Sequence, residues 1–178
     1  DGSVLVLPYG IYKNENGEEL NCCHIFHRAN LLKGLNKPMA IIPNLKKRCL
    51  CVSFNPNLYK KEADGVLGLK YKMVFAIATD DEIMIYDTSK LECLMIVKNL
   101  HYYPIYSMSW NSEGNKIIIS SKDGFLSTIE FKAYKFGEFF NNKKENDPMD
   151  VVKESEDIKI ANFSQPNTIN VLQIRKKK

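Results

Sequence analysis

The residues best suited to chemistry lie in one short stretch, Cys22-Cys23-His24-Ile25-Phe26-His27, where two thiols and two imidazoles fall close together. Thiolate and imidazole are the usual ligands of structural zinc, which takes four of them from two short-spaced couples. The second couple is missing. If the stretch is a strand, Cys22 and His24 point one way and Cys23 and His27 the other, so these residues read as strand and not as a metal cage. Carboxylates are the next candidates, but Asp80, Asp81, Glu82 and Asp123 stand in expected turns, where acids are solvated or bonded to backbone. No glycine-rich phosphate loop, nucleophile elbow or paired metal motif occurs. The expectation is therefore no enzyme, no cofactor and no metal.

Composition narrows the partners. The 178 residues carry 25 Lys+Arg against 21 Asp+Glu, a net charge of +4. Arginine, the residue of bidentate contacts to guanine and phosphate, occurs only as Arg28, Arg48 and Arg175. Mixed signs with little arginine describe a solvated surface better than a sequence-specific reader of nucleic acid. No apolar run approaches the roughly 20 residues of a membrane span. The odd number of cysteines, Cys22, Cys23, Cys49, Cys51 and Cys93, argues for reduced thiols over a disulfide framework.

The elements that position these residues read as short strands. Val4–Leu7, Cys23–His27 and Met39–Ile42 are apolar runs bounded by turns and prolines. Cys49–Phe54 alternates in the strand sense, with Leu50, Val52 and Phe54 on one face, and Asn55-Pro56 is expected to end it. After a loop over 57–68 come Met73–Ala78, a turn at Thr79–Glu82, Ile83–Tyr86 and Leu94–Val97. The pattern then recurs as Ile105–Trp110, Lys116–Ser121 and Phe125–Phe131. Its turn acids, Asp80 and Asp123, are 43 residues apart, inside the period of about 40–45 for WD repeats, whose blades have four strands. The repeat favours a β-propeller over a sandwich or barrel. Phe54 and Trp110 are expected in its core.

Residues 1–140 thus read as part of a propeller. The sequence opens at Asp1, in what reads as a turn between strands, and a fragment of about three blades, the first incomplete, is expected. Expressed alone, such a fragment is expected to self-associate through its open edges. Residues 141–178 are polar, poor in aromatics and expected to be a disordered tail, with a short β-like run at 167–174.

In WD repeats a Trp-Asp pair closes the third strand, and a histidine before the first strand bonds the acid of the turn between the second and third. Tyr86-Asp87 stands at the Trp-Asp position, with Asp80 as its turn acid. His101 stands at the histidine position of the next blade, with Asp123 as its acid, while Ile129 replaces the tryptophan and leaves that clip incomplete.

Beyond the generic repeat, MVFAIATDDEIMIYDT (73–88), NLHYY (99–103), MSWNSEG (108–114) and ISSKDG (119–124) resemble the WD-repeat subunit family of chromatin assembly factor one. The segments DGSVLVLPYG, CHIFHRANL and PMAIIP resemble it in the same order. The related HIR-type histone-regulator propeller is less similar around 86–88 and 101–103. The resemblance implies a seven-bladed ring and a nuclear histone-chaperone scaffold in replication- or repair-coupled nucleosome assembly. Its implied partners are the other chromatin-assembly subunits and histones three and four. A generic WD-repeat adaptor in another nuclear complex is the rival reading. In this family a segment after the propeller adds a strand to the anti-silencing histone chaperone. Thr168, Ile169, Asn170 and Leu172 resemble the downstream half of that motif, whereas Gln165, Pro166 and Asn167 stand where its paired arginines and β-branched anchor would be.

Overall fold

The computed structural model describes residues 2–61, 65–132, 134–140, 159–160 and 167–170. Three antiparallel meanders follow one another among these residues. The first comprises β1 (Val4–Lys13), β2 (Glu19–His27) and β3 (Ala40–Leu45); the second β4 (Cys51–Tyr59), β5 (Lys72–Ala78), β6 (Glu82–Asp87) and β7 (Cys93–Lys98); the third β8 (Ile105–Trp110), β9 (Lys116–Ser121) and β10 (Leu126–Glu130). The second has the four strands of a repeat blade, and the first and third have three each among the described residues. A short helix, α1 (Arg28–Leu32), joins β2 to β3, its first turn closed by the His27 ring accepting from the Ala29 amide at 3.2 Å. The sequence offers little sign of it.

The middle blade explains its own sequence. Met73, Phe75 and Ile77 of β5 belong to one buried cluster, shared with Val6, Cys23, Ile25 and Ile42 of the first blade. Val74, Ala76 and Ala78 belong to a second, shared with Ile105, Met108, Ile117 and Ile119 of the third. A strand buried on both faces has no polar side to show, so β5 reads as a continuous apolar run.

Three strands pass through prolines. β1 contains Pro8, β3 contains Pro43 and β4 contains Pro56. Register shifts lie between Leu7 and Gly10 in β1, opposite Pro43 on β2, and between Phe54 and Leu58 in β4. A bulge leaves a residue unpaired, so the missing N–H of proline costs the ladder nothing there. The expected end at Asn55-Pro56 is therefore corrected: β4 continues to Tyr59.

Two pieces of the tail pair as well. β11 (Lys159–Ile160) runs parallel to β3, and β12 (Asn167–Asn170) runs parallel to β7 with Asn167 opposite Met95 and Asn170 opposite Lys98. Among the described residues no helix is long and apolar enough to cross a membrane.

Candidate functional site

The turn acid of the third blade has the clearest geometry. His101 Nδ1 lies 3.0 Å from Asp123 Oδ2, both side chains almost wholly enclosed. The same carboxylate accepts from the amides of Tyr102 at 3.3 Å and Phe125 at 3.0 Å. Desolvation pushes the Asp123 carboxyl up, but the Phe125 amide and the His101 ring together outweigh it and hold the acid below its ordinary value. The clip ties the loop before β8 to the β9–β10 turn. His101 Nε2 is buried without a hydrogen-bond partner among the described residues, and Ile129 stands where the third-strand aromatic of the repeat would be.

In the middle blade the arrangement differs from expectation. Asp80 makes no hydrogen bond or ion pair among the described residues and acts on its surroundings through charge alone. Its neighbour Asp81 reaches back to Lys47 at 3.1 Å. Lys47 stands before β4 as His101 stands before β8, so a half-exposed ion pair takes the place of an enclosed His-Asp bond. Such surface pairs contribute about 0–1 kcal/mol. Asp87 clips a different turn, its Oδ1 accepting from the amides of Ser89 and Lys90, each at 2.9 Å. Tyr86 is buried and stacked on Phe75, with ring centroids 5.8 Å apart. Burial drives its hydroxyl well above the usual phenol range, with the Cys93 thiol beside it adding to the shift. Burial likewise pushes Cys93 up to about 11, so this thiol stays protonated and unreactive at neutral pH.

The expected core residues sit at the margin of the clusters. Phe54 is half-buried and packs on Phe75 at 5.1 Å. Trp110 is also half-buried: its indole Nε1 donates to the Ser53 carbonyl across the blade boundary at 3.0 Å. An indole N–H needs an acceptor when it leaves water, and this one finds it at the seam between β4 and β8. Placing both residues inside the core is corrected accordingly.

That seam is the site the sequence does not reveal. Asn55 Nδ2 donates to the Gly114 carbonyl at 2.7 Å, and Asn57 Nδ2 to the Glu113 carbonyl at 2.7 Å. Tyr59 Oη donates to Asn55 Oδ1 at 3.3 Å. The first two bonds join residues nearly sixty positions apart, and the only hint of them is an Asn-Pro-Asn run that reads equally well as a turn. The chain after β10 then folds back over the seam. Lys60 N donates to Glu138 O and Phe140 N to Leu58 O, each at 2.9 Å. Phe131 stacks on Trp110 at 5.3 Å, and Phe136 meets Tyr59, Trp110 and Phe131. A cleft of about 270 Å³ opens here, lined by Tyr59, Phe131, Phe136 and Phe139 with Lys132 and Lys135 at hand. It brings together aromatic surface, two lysines and the Glu113 carboxylate.

Of the Cys/His stretch, Cys22 Sγ and His24 Nε2 lie 3.5 Å apart, and Cys22, Cys23 and His27 are all buried. Among the described residues no three His, Cys, Asp or Glu side chains gather as a metal site would require. Thr168 to Asn170 lie on β12; Leu172 lies outside the described residues.

The model of the CAF1B/HIR1 beta-propeller domain matches residues 1–136. The CAF1B protein of chromatin assembly factor 1 from Saccharomyces cerevisiae is 42% identical over 132 residues, covering 72% of this chain and 28% of that protein. Its Gallus gallus counterpart is 33% identical over 150 residues, 77% of this chain and 25% of that one. Protein HIR2 of Debaryomyces hansenii is 24% identical over 149 residues, 73% of this chain and 15% of that one. The chain thus spans less than a third of the length of these relatives.

Proposed function

The chain belongs to the CAF1B/HIR1 β-propeller family, and from that membership we propose that it forms part of a nuclear histone-chaperone component, a protein-interaction scaffold in replication- or repair-coupled nucleosome assembly. One observation carries the reading: identity reaches 42% with a CAF1B protein of chromatin assembly factor 1 and falls to 24% with a HIR-type protein. The geometry agrees with a scaffold. The placed polar side chains hold turns and blades together, and the surface offers aromatic and strand-edge features suited to protein contacts. Leu5, Leu7 and Ile11 on the first blade and Tyr106, Ile118 and Leu126 on the third are exposed, as faces that pack against further blades of a seven-bladed ring would be.

The partners we propose are the other chromatin-assembly subunits, with histones three and four as cargo. A chain of net charge +4 is a poor electrostatic match for basic histones, so their main contacts are assigned to a large acidic subunit of the assembly and this chain to holding the assembly. The tail motif around Thr168–Leu172 is proposed to dock on the anti-silencing histone chaperone by strand addition. Affinity purification of the tagged full-length protein from nuclei tests the reading. Recovery of a large acidic partner, a second propeller and histones three and four is expected. Recovery of an unrelated adaptor complex in their place would overturn it.

A further inference from the structure

Outer strands of blades present unpaired backbone to solvent, and natural sheets protect such edges with proline, charge, irregularity or cover. The outer strands β3 and β7 are treated differently. β3 carries Pro43 and, after it, Asn44 at φ 57, both of which spoil the edge for pairing. Its added strand, β11, is only two residues long.

β7 has a register shift at Leu94 and is followed by Asn99 at φ 55, but between them Met95–Lys98 runs without proline or irregularity. Its sequence, Cys-Leu-Met-Ile-Val-Lys, lacks proline and buries Cys93, Met95, Ile96 and Val97. Its charged residue, Lys98, is drawn back onto Glu82 of the same blade at 2.7 Å. An apolar stretch of this kind, continuous from Met95 to Lys98, is the type most prone to accept a foreign strand. It is also where the chain lays four consecutive residues of its tail, in unbroken parallel register from Asn167–Met95 to Asn170–Lys98. Reach permits both tail contacts at once. From Ile160 on one blade to Asn167 on the next, the chain extends at most about 25 Å, against a spacing of about 10 Å between packed sheets.

We propose that the outer edge of β7 is a strand-receiving site, occupied in cis by Asn167–Asn170, and that access of any other extended segment to this edge is controlled by the tail. The tail is thereby a built-in cover for Met95–Lys98, the regular stretch of this outer strand. This holds whether or not the segment also serves a chaperone.

Proline at two successive positions removes whichever amide faces β7. The test is Thr168→Pro combined with Ile169→Pro in the full-length protein, followed by amide hydrogen exchange. Exchange at Met95–Lys98 is expected to accelerate about tenfold or more, with Val74–Ala78 in the middle of the same blade unchanged. Equal exchange at Met95–Lys98 in variant and parent would overturn the proposal. So would acceleration spread evenly over both strands.

Discussion

Gly114 is where a single added methyl group should do most damage to the blade boundary. It sits at φ +68, and a Cβ built there collides with Asn55 Oδ1 and comes within 2.6 Å of Asn57 Nδ2. Alanine in a left-handed conformation costs about 1–2 kcal/mol. Displacing Asn55 from the Gly114 carbonyl breaks a buried bond and strands its donor, at about 1–3 kcal/mol. Gly114→Ala should therefore destabilise the protein by about 2–5 kcal/mol. Asn55→Ala alone, which orphans the Gly114 carbonyl and removes the acceptor of the Tyr59 hydroxyl, should cost about 1–3 kcal/mol.

The double variant separates the two causes. With Asn55 shortened the collision is gone, Asn57 is free to rotate aside, and only the backbone strain of about 1–2 kcal/mol remains for the alanine at 114. The two substitutions should thus be less than additive, by about 1–3 kcal/mol. Urea denaturation of the four proteins of the cycle measures this directly. Additivity within about 0.5 kcal/mol, or a Gly114→Ala variant as stable as its parent, would refute the argument.

Three further outcomes are expected. Trp110→Phe keeps the stacking on Phe131 but loses the bond to Ser53, and should cost about 1 kcal/mol; Trp110→Ala should cost about 2–4 kcal/mol, below the range for an enclosed tryptophan because the ring is half-buried. Equal denaturation midpoints for these two variants would show that stacking at the seam is unimportant. Because the Asp123 carboxyl titrates below its ordinary value of 3.8, its contribution to stability is complete above that pH and fades as pH falls through the folded-state value. Asp123→Asn should accordingly flatten the acid limb of the stability profile, and an unchanged limb would count against the clip. A peptide spanning residues 163–178 should bind the anti-silencing chaperone at micromolar strength or weaker, with Ile169→Asp and Leu172→Asp each abolishing it in calorimetry.

What the sequence discloses follows from what repeats. His101 and Asp123 are legible because the blade sets their spacing, and their bond is a local consequence of a 43-residue period. The Lys47–Asp81 pair is hidden because a lysine replaces the histidine, and a lysine before a strand carries no signal of its own. The strand end expected at Asn55-Pro56 treats proline as a terminator, whereas a bulge lets the ladder pass it. The seam is illegible for a deeper reason: Asn55 and Gly114 belong to different blades, and no periodicity within a blade specifies what crosses between two of them. Phe54 and Trp110 are recognisable as packing residues, but how deeply each is enclosed depends on that same crossing.

The seam has a consequence for how sequences of this kind can drift. Its three donors, Asn55, Asn57 and Trp110, all reach main-chain carbonyls, at Gly114, Glu113 and Ser53. A carbonyl is supplied by every residue, so each bond constrains identity on one side only. Ser53 and Glu113 are then open to replacement at little cost to the joint, provided Gly114 keeps the turn. The side chain at 113, which lines the aromatic cleft, is free to vary with whatever the cleft meets, while the angle between the blades stays fixed beneath it.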